Sequence, residues 1–274
     1  HSEQRRRKVR SYIVSAIFRR NSVFFRPYGA MWRQALETFD TLFVQNVESK
    51  RLLSEIGFDN VVVAGDTRFD RVAQIAAAAQ RVETIERFRG GGRLFVAGST
   101  WGPDEEILLP LVNANPDVKF VIAPHEMDEG RIAHLMRDAK GGAVRYTQCD
   151  AATRFDDVQV LVLDTMGMLS SVYGSATWAY VGGGFGVGIH NTLEAATFGL
   201  PIAFGPNYGK FKEARDMVSL GCAVSVRTAG ELAAWFAPLR DDEETLRRAS
   251  RTAKDYTARN QGATGIILRS IFNS

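Results

Sequence analysis

Short apolar runs rich in Val, Ile, Leu and Phe recur along this chain, and segments of helical pattern separate most of them. The runs are Ser11–Phe18, Thr41–Gln45, Val61–Ala64, Leu94–Ala97, Lys119–Ala123, Ala143–Tyr146, Val160–Leu163, Trp178–Val181, Pro201–Phe204 and Cys222–Val226. Strands of nearly continuous hydrophobicity are covered by helices on both faces, so the alternation predicts an α/β protein with parallel sheets. Helical patterns occupy Tyr28–Phe39, Val47–Ile56, the alanine-rich Arg71–Arg89, Glu105–Asn113, Glu129–Ala139, Glu243–Tyr256 and Ala263–Phe272. The cluster Gly90-Gly91-Gly92 stops the third of these and predicts a domain boundary. The organisation expected is a partial α/β piece over 1–89 and a complete Rossmann-like domain over 90–242. Helices over 243–274 then follow and pack back on the N-terminal part.

Composition narrows the class. Of 274 residues, 45% are hydrophobic and 24% charged, which excludes disorder, collagen and coiled coil. A formal charge of +3 is too mild to imply nucleic acid. Cys149 and Cys222 stand far apart without Cys-x-x-Cys spacing, so neither a disulfide framework nor a zinc site is expected, and both read as buried thiols of a reducing compartment. No apolar run approaches the ~18 residues of a membrane span, and no signal peptide is visible. The start carries Arg5, Arg6, Arg7, Lys8, Arg10, Arg19, Arg20 and Arg26 against Glu3. Such a run is either a solvated face or an attraction to an anionic lipid surface. No aromatic-basic module accompanies it to stack nucleic acid.

Several chemistries are missing. No Gly-x-Gly-x-x-Gly follows a first strand, no Gly-x-Ser-x-Gly elbow is present, and no Asp-x-Asp pair is available for a metal. His125 and His134 lack i, i+4 spacing. Gly205-Pro206-Asn207-Tyr208-Gly209-Lys210-Phe211 falls short of a phosphate loop, because Phe211 replaces the required Ser or Thr.

The densest signal is an apolar strand running into Gly182-Gly183-Gly184-Phe185-Gly186-Val187-Gly188-Ile189-His190-Asn191 and then a helix. Loops of this kind let backbone N–H groups approach an anion. Alternatively Asn191 is an N-cap and Glu194 its capping-box partner; Glu194 one turn into the helix could equally accept two ribose hydroxyls. Gly98-Ser99-Thr100-Trp101, Pro124-His125 and Asp164-Thr165-Met166-Gly167-Met168-Leu169 also follow strand ends, where open α/β sheets bind ligands. Their alternatives are an N-cap for the Glu105 helix, a surface histidine, and an N-cap with a core methionine.

On these residues the chain resembles the 3-deoxy-D-manno-octulosonic acid (Kdo) transferases of lipopolysaccharide assembly. The resemblance runs through Ala64-Gly65-Asp66-Thr67-Arg68-Phe69-Asp70, Ala97-Gly98-Ser99-Thr100, Asp164-Thr165-Met166-Gly167-x-Leu169 and Gly182-Gly183. It continues through Gly188-Ile189-His190-Asn191-x-Leu193-Glu194 and Gly205-Pro206-x-x-x-x-Phe211-x-Glu213, in the family's order. It implies a GT-B glycosyltransferase that moves Kdo from CMP-Kdo to a lipid A precursor, inverting and metal-independent, with no cofactor. It places CMP at Gly98, Ser99, Thr100, Pro124, His125, Met166, Gly167, Leu169, Gly183, Gly184, His190, Asn191, Glu194 and Lys210. The glycine loop and the start of the Asn191 helix would hold phosphate, Glu194 the ribose, and the Met166–Leu169 turn the base.

Three departures stand out. Pro124 and His125 are adjacent where the family commonly has an intervening Arg, Met168 stands where a Glu is common, and Lys210 replaces an Asn. The resemblance also implies that most of the acceptor domain, with its catalytic glutamate, lies upstream of His1, leaving a donor-binding fragment. The expected setting is the cytoplasmic face of the bacterial inner membrane, with peripheral contact to anionic lipid and no nucleic acid. The rival readings are another GT-B enzyme, such as a UDP-sugar transferase or a UDP-N-acetylglucosamine 2-epimerase, and a non-catalytic binding module. Gly184→Val is expected to remove CMP binding with the fold intact.

Overall fold

Three apolar segments, β1 (Tyr12–Ala16), β2 (Thr41–Val44) and β3 (Val61–Val63), pair in parallel in the order β1-β2-β3 in the computed structural model, which describes residues 9–272. Arg5, Arg6, Arg7 and Lys8 of the basic start lie outside the described residues. Parallel neighbours need crossovers rather than tight turns, and helices α1 (Ala30–Leu36) and α2 (Val47–Ser54) supply them. Asn46 starts α2 by accepting a hydrogen bond from the Ser49 amide at 2.8 Å. Leu36, Leu42, Val44, Leu53 and Val61 form one core with Phe18, whose ring meets Phe24 edge-on at 5.4 Å. A second cluster joins Phe43 and Ala64 to Ile267.

The Ala-rich stretch read as one helix over Arg71–Arg89 is two: α3 (Thr67–Ala78) and α4 (Glu83–Arg89). Helix propensity favours continuity through the alanines, but Val82 takes an extended conformation (φ −92°, ψ 110°) and packs into the core below. The turn it makes directs Ile85 and Phe88 into that core, where both are fully buried. Tertiary burial overrides local propensity here.

The larger sheet contains β4 (Leu94–Thr100), β5 (Lys119–Pro124), β6 (Ala143–Arg145), β7 (Val160–Val162), β8 (Trp178–Val181), β9 (Ile202–Phe204) and β10 (Ala223–Ser225). Its order is β10-β9-β8-β4-β5-β7-β6, parallel throughout. Side chains alternate between two cores, as a period of two requires when both faces are covered. Leu94, Val96, Val121, Leu161, Ala179 and Ile202 face one core, and Phe95, Phe120, Val160, Trp178, Tyr180 and Ala203 the other.

The helices of this region are α5 (Gly102–Ala114), α6 (Glu129–Asp138), α7 (Leu169–Tyr173), α8 (Leu193–Thr197), α9 (Lys212–Leu220), α10 (Ala229–Asp241) and α11 (Glu243–Arg259). Phe236 of α10 packs against Trp178 at 4.9 Å and Phe95 at 5.6 Å. Burying each such side chain is worth about 1.5–3 kcal/mol.

Contacts divide the chain into a smaller unit, residues 1–71 with 259–274, and a larger one, residues 72–258. The division falls at 71/72 rather than at the 89/90 glycines, because α4 buries its apolar face in the larger unit's core. The C-terminal helices divide likewise. Helix α11 packs Leu246, Ala249 and Ala253 into the larger unit, whereas α12 (Ala263–Phe272) packs Ile267 into the smaller.

Asp70 holds the start of α12. Its carboxylate accepts the amides of Gly262 and Thr264 at 2.6 and 2.7 Å. Burial disfavours its charge, but the two amides outweigh that and hold the carboxyl below the usual range. Asp70→Ala should therefore cost about 0.5–2 kcal/mol, read as faster amide exchange in residues 263–272. A lowered folded pKa means the contribution is complete above the unfolded value of about 3.9 and vanishes as pH falls through the folded one. Denaturation midpoints of wild type and variant should converge in acid.

Candidate functional site

The carboxyl ends of the seven parallel strands share one edge, and β4 is where chain order reverses, with β5 on one side and β8 on the other. A crevice at such a switch point is the usual ligand site of open α/β sheets. The loops after β4 and β8 form its walls, and a buried carboxylate joins them. Asp104, with no exposed surface, accepts the Tyr180 hydroxyl on one oxygen at 2.6 Å. Its other oxygen accepts the amides of Trp101 at 2.9 Å and Gly183 at 3.0 Å. Burial pushes the Asp104 carboxyl up, against these three donors. Burial also raises the Tyr180 hydroxyl, with the Asp104 charge adding to it.

A cavity of about 430 Å³ opens beside these loops, walled by Trp101, Asp104, His125, Phe185, Val187 and His190. His125 stacks on Trp101 with ring centroids 4.7 Å apart and on His190 at 4.3 Å. The Trp101 indole N–H donates to His190 Nε2 at 3.2 Å, which assigns the His190 proton to Nδ1. Burial, together with the neighbouring His125, lowers the His190 pKa, keeping that ring a neutral acceptor.

A second, polar cluster lies around α8. Glu194 accepts the Ser170 hydroxyl on one oxygen at 2.6 Å and the Asn191 amide group on the other at 3.0 Å. Asn191 in turn accepts the Leu193 amide at 3.1 Å. Asn191 thus caps α8 from one position before its N-cap, Thr192. The expected capping box does not form, because Thr192 is the N-cap and Glu194 takes the Asn191 side-chain amide rather than a backbone N–H, but the carboxylate is organised all the same.

The fourteen residues nominated from sequence are distributed unevenly. His125, Gly183 and His190 line the cavity. Asn191 and Glu194 form the polar cluster, with Leu169 one residue from Ser170 at the start of α7. Gly98 sits at the end of β4 paired with Val181, and Ser99 follows with φ +54°. Thr100 turns inward: its hydroxyl donates to Glu105 at 2.9 Å, and Glu105 is ion-paired with Arg131 at 2.8 Å. Its carbonyl accepts the His125 amide at 2.9 Å, so Thr100 positions the β4 and β5 loops and its hydroxyl is not free for a ligand. Pro124 ends β5 opposite Thr100. Met166 is 76% exposed on the turn before α7 with Gly167, whereas Met168 packs against the core. Asp164 staples that turn by accepting from the amide and hydroxyl of Thr147. Lys210 is exposed on the loop after β9.

Two glycines carry requirements the sequence reading missed. The Gly183 amide is committed to Asp104, and a Cβ at Gly183, where φ is +90°, would lie 2.7 Å from the Gly188 carbonyl. The amides of Gly184, Phe185, Val187 and Gly188 donate to no protein acceptor among the described residues. A Cβ at Gly184 would lie 2.5 Å from the Gly205 backbone. Gly184→Val therefore disrupts loop packing, contrary to the expectation that it spares the fold. Asn207 locks the two loops together, its amide donating to the Gly184 carbonyl at 2.8 Å and its side chain to that of Gly186 at 2.7 Å. From sequence, Asp104 and Ser170 go unnamed, Trp101 appears only as part of its strand-end loop, and Asn207 only within the loop that falls short of a phosphate loop. Only Trp101 and Asp104, beside a strand-end loop, carried a positional signal.

The arrangement defines the GT-B class of glycosyltransferase fold. In sequence the chain is related to the Kdo transferases: the family model described as 3-deoxy-D-manno-octulosonic-acid transferase (kdotransferase) matches residues 1–71. A 3-deoxy-D-manno-octulosonic acid transferase of Bordetella pertussis is 26% identical over 269 residues, covering 94% of this chain and 62% of its own length. One from Rickettsia felis is 23% identical over 205 residues, covering 72% of this chain and 43% of its own. The chain thus spans between two-fifths and two-thirds of the length of these relatives. Among solved structures, the C-terminal CMP-Kdo binding domain of WaaA from Acinetobacter baumannii matches 67% of this chain and 96% of that domain, at 20% identity and TM-score 0.50. A putative UDP-N-acetylglucosamine 2-epimerase from Listeria monocytogenes matches 98% of this chain and 68% of that one, at 16% identity and TM-score 0.61.

Asp104 yields a test of the crevice. Asp104→Ala strands three donors, two of them buried at Tyr180 and Gly183, and each buried unsatisfied group costs about 1–3 kcal/mol. Asp104→Asn should cost much less, since one amide oxygen can accept both backbone N–H groups while its NH2 donates to the Tyr180 oxygen. Urea denaturation of the two variants checks this order.

Proposed function

We propose that this chain carries the donor-binding site of a glycosyltransferase that moves Kdo from CMP-Kdo to a lipid A precursor, with inversion and without metal or cofactor. The observation that carries this reading is the pairing, at one switch point, of a pre-oriented carboxylate with a glycine loop in which the amides of Gly184, Phe185, Val187 and Gly188 are uncommitted. Glu194 spends one lone pair per oxygen on Ser170 and Asn191, and each oxygen keeps another for a ribose hydroxyl. The free amides of Gly184, Phe185, Val187 and Gly188 then meet the phosphate. CMP departs carrying its phosphate charge, and fixed backbone dipoles stabilise that charge as it develops. Gly98, Ser99 and Leu169 flank the nucleotide, Met166 and Gly167 serve the base, and Lys210 adds a cation from the loop that Asn207 ties to the glycine loop. Family similarity over 94% of the chain supports the choice of CMP-Kdo over a UDP-sugar.

CMP should raise the melting temperature and UDP should not. Protection by UDP alone points instead to another GT-B enzyme. Glu194→Gln should bind CMP about ten-fold or more weakly, because a charge-assisted bond worth about 1.5–3 kcal/mol is lost. Isothermal titration reads it, and loss of stability with unaltered CMP affinity returns Glu194 to a capping role.

The acceptor of the proposed reaction is a lipid, and the smaller unit presents Tyr28 and Met31, 74% and 71% exposed, with Trp32 and the nearby Arg26. No helix among the described residues is long and apolar enough to cross a membrane. We propose peripheral contact with anionic lipid through these residues, at the cytoplasmic face of the bacterial inner membrane. The protein should sediment with phosphatidylglycerol vesicles more than with phosphatidylcholine ones. Trp32→Ser with Arg26→Ser should reduce that binding, and equal sedimentation with both lipids refutes the contact.

A further inference from the structure

The crevice contains two clusters of different chemistry. Both Glu194 oxygens are hydrogen-bonded by polar side chains, Ser170 and Asn191. The 430 Å³ cavity beside it is walled by the rings of Trp101, His125 and His190 in mutual contact, with Phe185 and Val187 of the glycine loop completing the lining. The interplanar angles along the stack, 31° and 32°, and the indole bond to His190 hold these rings as one platform. Asp104 is the single carboxylate lining the cavity among the described residues, and both its oxygens are engaged. The His125 side chain makes no hydrogen bond among the described residues, so its ring N–H is unspent, as is that of His190 Nδ1.

Nucleotide recognition through Glu194 and the glycine amides leaves this platform without a role. A pyranose ring presents a face of C–H bonds that packs on aromatic surfaces, while its substituents need donors at the edge. Resting on the nucleotide reading above, we propose that the cavity is the donor-sugar subsite. The Trp101–His125–His190 platform takes the C–H face of an acidic sugar, and the unspent imidazole N–H groups take its carboxylate. This assigns His125 and His190, grouped from sequence with the nucleotide, to the sugar. A cytosine ring on the same platform is the competing occupant, and it is separable because CMP carries the base without the sugar.

The test compares CMP with CMP-3-fluoro-Kdo, whose neighbouring fluorine slows loss of CMP, by isothermal titration against the whole chain. Wild type should bind the sugar nucleotide more tightly than CMP. Trp101→Ala, and the exposed and fold-safe His125→Ala, should each lose roughly five- to ten-fold in affinity for the sugar nucleotide, with CMP changed by less than about two-fold. Equal losses for both ligands place the base on the platform and overturn the inference. So does a wild type that binds the two ligands equally. A wild type that binds neither overturns the functional reading and this inference with it.

Discussion

Asp104 puts a carboxylate in the protein interior at the point where β4 and β8 part, and the geometry of the crevice follows from what that carboxylate needs. A buried charge must be met by donors, and the three that meet it come from both walls: Trp101 after β4, and Tyr180 and Gly183 at the end of β8. The distance between the loops is thereby set by hydrogen bonds with little freedom in length. Trp101 so anchored can reach His190, and Gly183 so anchored turns the chain toward Gly184 and the uncommitted amides.

The division of labour on either side of that anchor is chemical. Asn207 and the Gly184–Gly205 approach press the loop after β9 against the glycine loop, closing one side with backbone alone. Thr100, Glu105 and Arg131 brace the other, linking the ends of β4 and β5 to α6 through a half-buried ion pair. Ion pairs of this kind contribute position more than stability. The exposed side chains within the crevice are held by neighbours, His125 by the Trp101 ring and Asn191 by the Leu193 amide.

The sheet architecture was legible because burial on both faces leaves an unmistakable pattern, and β8 and α12 fall at their expected limits. Propensity misled at Arg71–Arg89, where the demand to bury Ile85 and Phe88 breaks a run of good helix formers. The glycine loop and Glu194 were visible as composition and spacing. Asp104 was not, since an acidic residue in the first turn of a helix is what the helix dipole favours anyway. Its inward direction depends on a tyrosine 76 positions away. Ser170 and Asn207 escaped for the same reason: each acts across loops that only the folded sheet brings together.

The two terminal helices have an implication for how the chain is made. The small three-stranded sheet is encoded ahead of the larger one, yet the cluster over Phe43 and Ala64 is closed by Ile267, and the amides that Asp70 receives belong to Gly262 and Thr264. On a ribosome, where domains fold as they emerge, that apolar face waits uncovered through translation of the whole larger unit. Of the two sheets, the one synthesised earlier is finished later.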